Sequence, residues 1–457
     1  MENNKYKLFV GGDISGIQKF IYNISSKKAA ASLKGRSAWL DKYLREVYDK
    51  ILAIPGIKSS PLAKDIYCGG GKFYLIASDD ESVKTRIEQI RQKEEEYLWN
   101  EHKGLLAINI ALVPYQEDFG LNFVKANEEF AKQKNRKFES LLRNKYDEFF
   151  EVQKVGGTPQ VCAITGVEGK TVPLDKDKEI LVLPSVKEQV ENGYEIRKRQ
   201  GIKQDFEDYA RDSYLGVLRM DVDGLGAAFR SRKTLEEYRT FSNRLTAFFK
   251  EDLDNLWHTD DFHDWTDIIY AGGDDLFVVG RWNVVVDFAK LIHDEFSKIF
   301  PGNTLSGGIA IVKKKFPIAK AAELAGDAEE ASKHFGYDKE KDEYAKNAFT
   351  MLGVTISWDE YEYVHNFKEQ FIELCNSYNM PRSILHHLMQ LNEMRKRGEM
   401  SYLWNTAYFL KRFSDGKSEN IKAFCKDLKD NHLISSRKYE LIALACRWAE
   451  LETKKQS

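Results

Sequence analysis

Cysteine is sparse in this chain of 457 residues, and the five thiols, Cys68, Cys162, Cys375, Cys425 and Cys446, form no CxxC pair. Such spacing excludes a disulfide scaffold and points to a reducing cytoplasm. A surplus of charge is also missing: 69 basic and 71 acidic residues leave a net charge of −2 and a pI near 6.6. No global positive field draws the chain onto nucleic acid, so a free-standing nucleic-acid coat is excluded, and contact with RNA must come from local patches or partner subunits. Long apolar runs are absent too. The longest, LLAINIALV, is about half of a membrane-crossing helix, and the start, MENNKYKLFVGGD, has no basic stretch followed by an apolar one. The expectation is a soluble, unexported, cytoplasmic protein with no membrane partner.

What is present suits several folded cores. Hydrophobic residues make up 42%, aromatic 12% and charged 31%, and the length suggests two to four domains. LGVLRMDVD alternates as a strand, Phe241, Leu245, Phe248 and Phe249 recur at helical spacing between Leu235 and Leu256, and YAGGDDLFVVG reads as strand, tight turn, strand. NVVVDFAKLIHDEFSKIF is helical and TLSGGIAIV is a strand. The order β-α-β-β-α-β is that of a ferredoxin-like unit. Residues 1–117 repeat it, with YKLFVGGD, IQKFIY, DIYCGGGKFYLIAS, ESVKTRIEQIRQKEEEYLW and GLLAINIALV in the same roles. Laying residues 68–77 on 271–280 puts Gly71 opposite Asp274 and Lys72 opposite Asp275, so the first copy lacks the paired acids.

Between the copies, 118–209 reads as a charged helical connector from Phe119 to about Gln153 and a turn-rich insert, GGTPQVCAITGVEGKTVP. The second copy spans 210–357. From Trp358 to the end the apolar spacing of three and four, punctuated by Pro381 and Gly398, predicts an all-helical domain. The fold class is α+β: two ferredoxin-like domains, a connector and a helical C-terminal domain.

Glycine and aspartate are ordinary turn residues, so the GGDD tip alone is compatible with a plain hairpin. Asp221 changes that reading, because it ends the preceding strand of the same unit, where strand pairing brings its carboxylate beside Asp274 and Asp275. Two unit charges about 4 Å apart repel by roughly 4 kcal/mol at an effective dielectric near 20, so such a cluster calls for cations. Mg²⁺, or Mn²⁺, prefers oxygen ligands and bridges carboxylates to phosphates, and a pair of such ions performs nucleotidyl transfer. Gly272 and Gly273 let phosphates approach the backbone. Asp223 shares the side of Asp221 only if the strand continues that far.

With these motifs the second copy resembles the palm of diguanylate cyclases and, more closely, that of the large palm-containing subunit of type III CRISPR effector complexes. GGDISGIQKFIY followed by SLKGRSAWL resembles the first palm of that subunit, and MDVDGLG, YAGGDDLFVVG, LSGGIAIV and AKNAF resemble its second. The resemblance implies two facing palms that bind two ATP molecules and join them 3′ to 5′ with release of pyrophosphate. It implies cyclic oligoadenylates as products once target RNA is captured, and as partners the guide-RNA-bound subunits, especially the small and the guide-end-binding ones. Carried over, Asp221, Asp274 and Asp275 hold the metals with Val222 beside them. Gly12, Asp13, Ile14, Ser15 and Gly16 border the second nucleotide, and Ser306, Lys333 and Lys346 fall at nucleotide-contacting positions; Lys72, standing where the second copy has Asp275, is expected to offset phosphate charge on a nucleotide held between the palms.

The chain departs from the family in two places. The N-terminal nuclease domain of many relatives is not expected, because the first palm strand begins near residue 6, and the pairs His263–Asp264 and His293–Asp294 lie in the second palm without further clustered histidines. In VCAITG, Thr165 stands where relatives have the second cysteine of a zinc ribbon, so no zinc is expected. Two other functions fit the same residues: a non-catalytic scaffold subunit, and a palm enzyme with another acceptor or with GTP. The basic stretch Lys27, Lys28, Lys34 and Arg36, with Trp39, fits either an RNA or partner contact or a solvated surface.

Overall fold

Eight consecutive buried residues, Leu8–Ser15, form β1 in the computed structural model. The strand shows no alternation because it is interior to its sheet and covered on both faces. The helix α1 (Ala29–Leu52) follows, then β2 (Tyr67–Gly69), β3 (Lys72–Ala77), α2 (Glu81–His102) and β4 (Ala107–Pro114). The sheet runs β2-β3-β1-β4, and β1 pairs antiparallel with both neighbours. The structure describes residues 7–55, 57, 66–150, 160–175, 179–210, 214–259, 262–433 and 435–453. They fall into two compact units, Met1–Thr304 with Val312–Glu323, and Leu305–Ile311 with Leu324–Ser457.

The helical stretch expected from Phe119 begins with α3 (Phe119–Lys134), which lies on the first sheet rather than linking loosely to the next domain. Phe119 meets Phe9 edge-on at 5.6 Å, and Phe123 and Phe130 sit 5.5 and 6.4 Å from the Tyr74 ring. Gly11 makes room for this layer, since a methyl there would stand 2.8 Å from Phe130 Cζ. The turn-rich insert forms two short ladders, Gln160–Val161 with Glu168–Gly169 and Val172–Pro173 with Leu181–Val182. Residues 151–159, where the connector was expected to end, lie outside the described ones.

The sequence reading did not anticipate α4 (Pro184–Gln200), which opens on a proline at its first turn and ends on Gly201 at φ 71°. It crosses α1 closely enough that a methyl on Gly35 would run into the Gln189 carbonyl and one on Gly193 into the Ala31 carbonyl. Two of the basic residues expected at a surface are therefore interior. Lys34 faces Asp267 at 3.5 Å, and Arg36 bonds the carbonyls of Phe20 and Asn23. Burial pulls the Lys34 ammonium down and the Arg36 guanidinium down to about 10. Trp39 stacks on Tyr43 at 5.1 Å, Lys27 is exposed, and Lys28 reaches over the Tyr194 ring.

The second palm supplies β5 (Tyr214–Val222), α5 (Leu225–Arg230) and α6 (Leu235–Ala247), the last opened by a reciprocal Thr234–Glu237 cap. After one wide turn, Phe248–Asp252, the helix continues to Trp257. Then come β6 (Thr266–Gly272), β7 (Asp275–Arg281) and α7 (Trp282–Ile299). The order β6-β7-β5 repeats β2-β3-β1 of the first palm.

In the other unit the Leu305–Ile311 part of β8 (Leu305–Lys313) pairs parallel with β9 (Ala348–Met351), which pairs antiparallel with β10 (Val354–Ser357). Between β8 and β9 runs α8 (Ile318–Lys333), whose Ser332 hydroxyl donates to the Gly307 carbonyl at 2.7 Å. The expected C-terminal helices are α9 (Trp358–Ser377), α10 (Ser383–Lys396), α11 (Tyr402–Ser414), α12 (Glu419–Asp427) and α13 (Ser436–Thr453). A reciprocal Ser357–Glu360 cap starts α9, and Arg437 of α13 holds Glu360 at 2.8 Å. No helix among the described residues is long and apolar enough to cross a membrane.

Candidate functional site

The register of β5 and β7 places Asp221 directly opposite Asp275. Directly opposed residues project to one face of the sheet, and the two carboxylates offer oxygens within 4.8 Å of each other. Both are half-buried. Asp274 sits one residue earlier, in the turn that Gly273 makes possible at φ 69°. Its carbonyl accepts the Val222 N–H at 3.1 Å, and the Tyr270 hydroxyl donates to the Gly272 carbonyl at 3.1 Å, so the tip is tied to the neighbouring β5 and to β6 of its own hairpin. Burial, reinforced by the negative charge of Asp275, raises the Tyr270 phenol and keeps it a donor. Asp223 lies past the end of β5, and its N–H and carboxylate are both tied to Thr304, the latter at 2.7 Å.

The first palm repeats this frame with other side chains. Asp13 stands opposite Lys72 as Asp221 stands opposite Asp275, and the Ile14 N–H donates to the Gly71 carbonyl at 2.8 Å as that of Val222 does to Asp274. Asp13 is only 3% exposed, and its carboxylate meets Lys134 Nζ at 3.0 Å and Asn109 Nδ2 at 3.2 Å. Lys134 is the last residue of α3, and its approach to Asp13 depends on long-range packing that periodicity does not reveal. Of the residues expected to border the second nucleotide, Asp13, Ile14 and Ser15 continue β1 as buried residues. The left-handed step falls at Gly16, φ 92°. Gly12 is a packing glycine whose missing side chain makes room for the Phe73 ring.

Beside the hairpin tips lies a cleft of about 490 Å³, within the range of small-molecule sites. Lys72 of the first palm and Asp274 of the second share it, with Tyr67, Phe123, Asn127 and Phe229. These last four were not singled out in the sequence, because β2, α3 and α5 meet only through tertiary packing. Phe123 and Phe229 pack at 5.4 Å. The Tyr67 phenol is raised by burial and by the charge of Asp274.

Three expected residues belong to the other unit. Ser306 is buried in β8, Lys333 pairs with Glu329 at 2.7 Å, and Lys346 is half-buried. Lys346 and Asn347 are consecutive non-glycine residues in left-handed backbone, φ 56° and 47°. Such strain gathers at functional sites. Each His-Asp pair is engaged locally. His263 Nε2 lies 2.9 Å from the Gln200 carbonyl, and His293 Nδ1 lies 3.1 Å from Asp294, which also pairs with Lys290 at 2.6 Å.

Two copies of one antiparallel palm, one carrying the cross-strand acid pair and one a lysine in its place, define an α+β palm protein with a helical C-terminal part. The family models agree: the second palm domain of Cas10/Cmr2 matches residues 214–345, and Csm1 subunit domain B matches residues 6–154. The chain belongs to the Cas10/Csm1 family. It is similar to the Cas10/Csm1 single-strand-specific deoxyribonucleases (subtype III-A) of Methanocaldococcus jannaschii, 25% identical over 79% of this chain and 61% of that one, and of Enterococcus italicus, 26% identical over 89% and 62%. The chain thus spans about three fifths of the length of these relatives. Among solved structures, the Csm1-Csm4 cassette in complex with pppApApA matches at a TM-score of 0.70 and 18% identity, over 99% of this chain and 70% of that one. The same cassette in complex with cA4 matches at 0.69 and 18%, over 98% and 70%.

Proposed function

We propose that this chain joins ATP molecules through 3′–5′ linkages into cyclic oligoadenylates, as the large subunit of an RNA-guided type III CRISPR complex activated by target RNA. The observation that carries the reading is the cross-strand pair Asp221–Asp275 beside a nucleotide-sized cleft that holds Asp274 and Lys72. Two half-buried carboxylates this close suit a divalent cation, Mg²⁺ or Mn²⁺, which when bound lowers the pKa of an attacking hydroxyl and neutralises a leaving pyrophosphate. Asp221 and Asp275 hold that charge in place, with Asp274 on the cleft side. Lys72 offsets phosphate charge on a nucleotide in the cleft, and the Phe123 and Phe229 rings give its base an apolar wall.

A subunit like Csm4, the partner in the cassette structures, is the first partner expected, along with guide-RNA-bound subunits. The deoxyribonuclease activity for which the relatives are named is not part of this reading. The test is to incubate the purified chain with ATP and Mg²⁺ or Mn²⁺, with and without the assembled guide complex and target RNA, and to identify products by mass spectrometry. Cyclic oligoadenylates that depend on target RNA are expected. Pyrophosphate release with GTP alone, or no product in the complete complex, would overturn the reading in favour of the GTP enzyme or the scaffold.

A further inference from the structure

The two hairpin tips touch each other through glycine. Gly70 of the first palm and Gly273 of the second both occupy left-handed backbone, φ 56° and 69°. A methyl on Gly70 would stand 2.6 Å from Gly273 Cα and 3.0 Å from its amide nitrogen, and one on Gly273 would stand 2.9 Å from Gly70 Cα and 3.2 Å from Tyr67 Oη. Left-handed backbone alone does not demand glycine, because asparagine adopts it readily. Here the lack of room does. The adjoining tip glycines differ: a methyl on Gly71, φ 79°, would stand 2.3 Å from Cδ1 at the far end of the Ile17 side chain, which can swing aside as backbone cannot, and the nearest atom to a methyl on Gly272 would be 3.7 Å away.

Asp274 and Asp275 follow Gly273 directly, so whatever fixes Gly273 fixes them. Their own palm holds the turn through Val222 and Tyr270, and Gly70 presses on it from the other palm. Relieving a 2.6 Å contact with a methyl requires a shift of roughly 1 Å, while productive constellations tolerate about 0.5 Å and a 1 Å misplacement costs on the order of 10²-fold in rate. We infer that Gly70 is a positioning residue for the acids of the second palm: the first palm, which carries no acid pair at its own tip, serves as the stop against which the GGDD turn is set. The catalytic consequence rests on the nucleotidyl-transfer reading. The contact itself does not.

The test compares Gly70→Ala and Gly70→Asn with Gly71→Ala in the full chain, each checked for a wild-type melting transition. Asparagine accepts the backbone angle but still carries the obstructing Cβ, and Gly71→Ala has the backbone strain and a flexible side-chain neighbour but no contact with the second palm. Both Gly70 variants are expected to lose about 10- to 100-fold in condensation rate at saturating ATP. They should also need several-fold more Mg²⁺ for half-maximal rate and show faster hydrogen exchange in the segment 271–280. Gly71→Ala is expected to stay near wild type in all three. A Gly70→Asn that matches wild type, or a Gly71→Ala that reproduces the loss, would overturn the inference. A wild-type chain that makes no product would count against the functional reading, and the exchange comparison would still decide whether Gly70 braces the turn.

Discussion

At matched positions the two palms carry opposite answers to one electrostatic problem. Asp13 opposite Lys72 and Asp221 opposite Asp275 share a register and the same turn hydrogen bond, yet the first carboxylate is buried and neutralised by Lys134 while the second faces another acid. A buried carboxylate needs a partner, and the first palm supplies one from its own chain. The second palm keeps two acids within 4.8 Å, whose mutual repulsion a bound cation would relieve. The difference teaches that backbone geometry alone does not make the site; the identity of the residue after the turn does.

Breaking the second palm should have the largest effect. Asp221→Ala, or Asp274→Ala with Asp275→Ala, is expected to lower condensation by more than about 100-fold, beyond what loss of a partner outside the metal's own ligands costs, with the melting temperature unchanged. Nucleotide release assays alongside thermal melts check it, and near-wild-type turnover would remove these acids from the site.

The next effect belongs to the first palm alone. His102, at the end of α2 and packed against Phe20 and Trp39, is depressed to about 4 by burial and, secondarily, by Arg36. Its folded value lies below its unfolded one, so the unfolded chain takes up the proton first as the pH falls. Stability is therefore fully present above pH 6.5 and is lost toward pH 4, by at most about 3 kcal/mol. Melting curves over that range should show the loss, and His102→Gln should flatten it.

Removing the internal cation tests the neutralisation itself. Lys134→Ala leaves the Asp13 carboxylate with the neutral donors Asn109 and Ser15 and is expected to cost about 1–3 kcal/mol by denaturant unfolding, with Lys134→Arg recovering most of it. The smallest effect is expected from Lys72→Ala: a rise in KM for ATP of about tenfold, the loss of one half-buried charge-assisted contact, with residual turnover at saturating ATP. An unchanged KM with a lowered kcat would place Lys72 at the reaction centre instead.

Much of this was legible in the sequence. The repeated β-α-β-β-α-β order, the C-terminal helices and the equivalence of Gly71 with Asp274 and Lys72 with Asp275 all come from local periodicity and turn chemistry, which the strand registers reproduce. What escaped is long-range. Lys34 and Arg36 look like surface charge until α4 covers α1, Gly12 looks like a neighbour of the nucleotide until the Phe73 ring fills its side, and the cleft is lined from β2, β3, α3, α5 and the GGDD turn, which are distant in the chain. Charge and small size have the same local signature whether they meet solvent, a ligand or another helix.

The buried ion group of Arg197, Asp267 and Lys34 bears on how the first unit assembles. Its members come from α4, β6 and α1, separated by 70 and 163 residues, and none can be left alone in the interior without a severe desolvation penalty. The two palms are therefore expected to reach their native state as one cooperative foldon of high contact order, completed slowly and late, rather than as two domains that mature in turn during synthesis. A second palm produced from Tyr214 onward would carry Asp267 without either cation, so severing the pair should yield an aggregation-prone fragment and not a minimal enzyme.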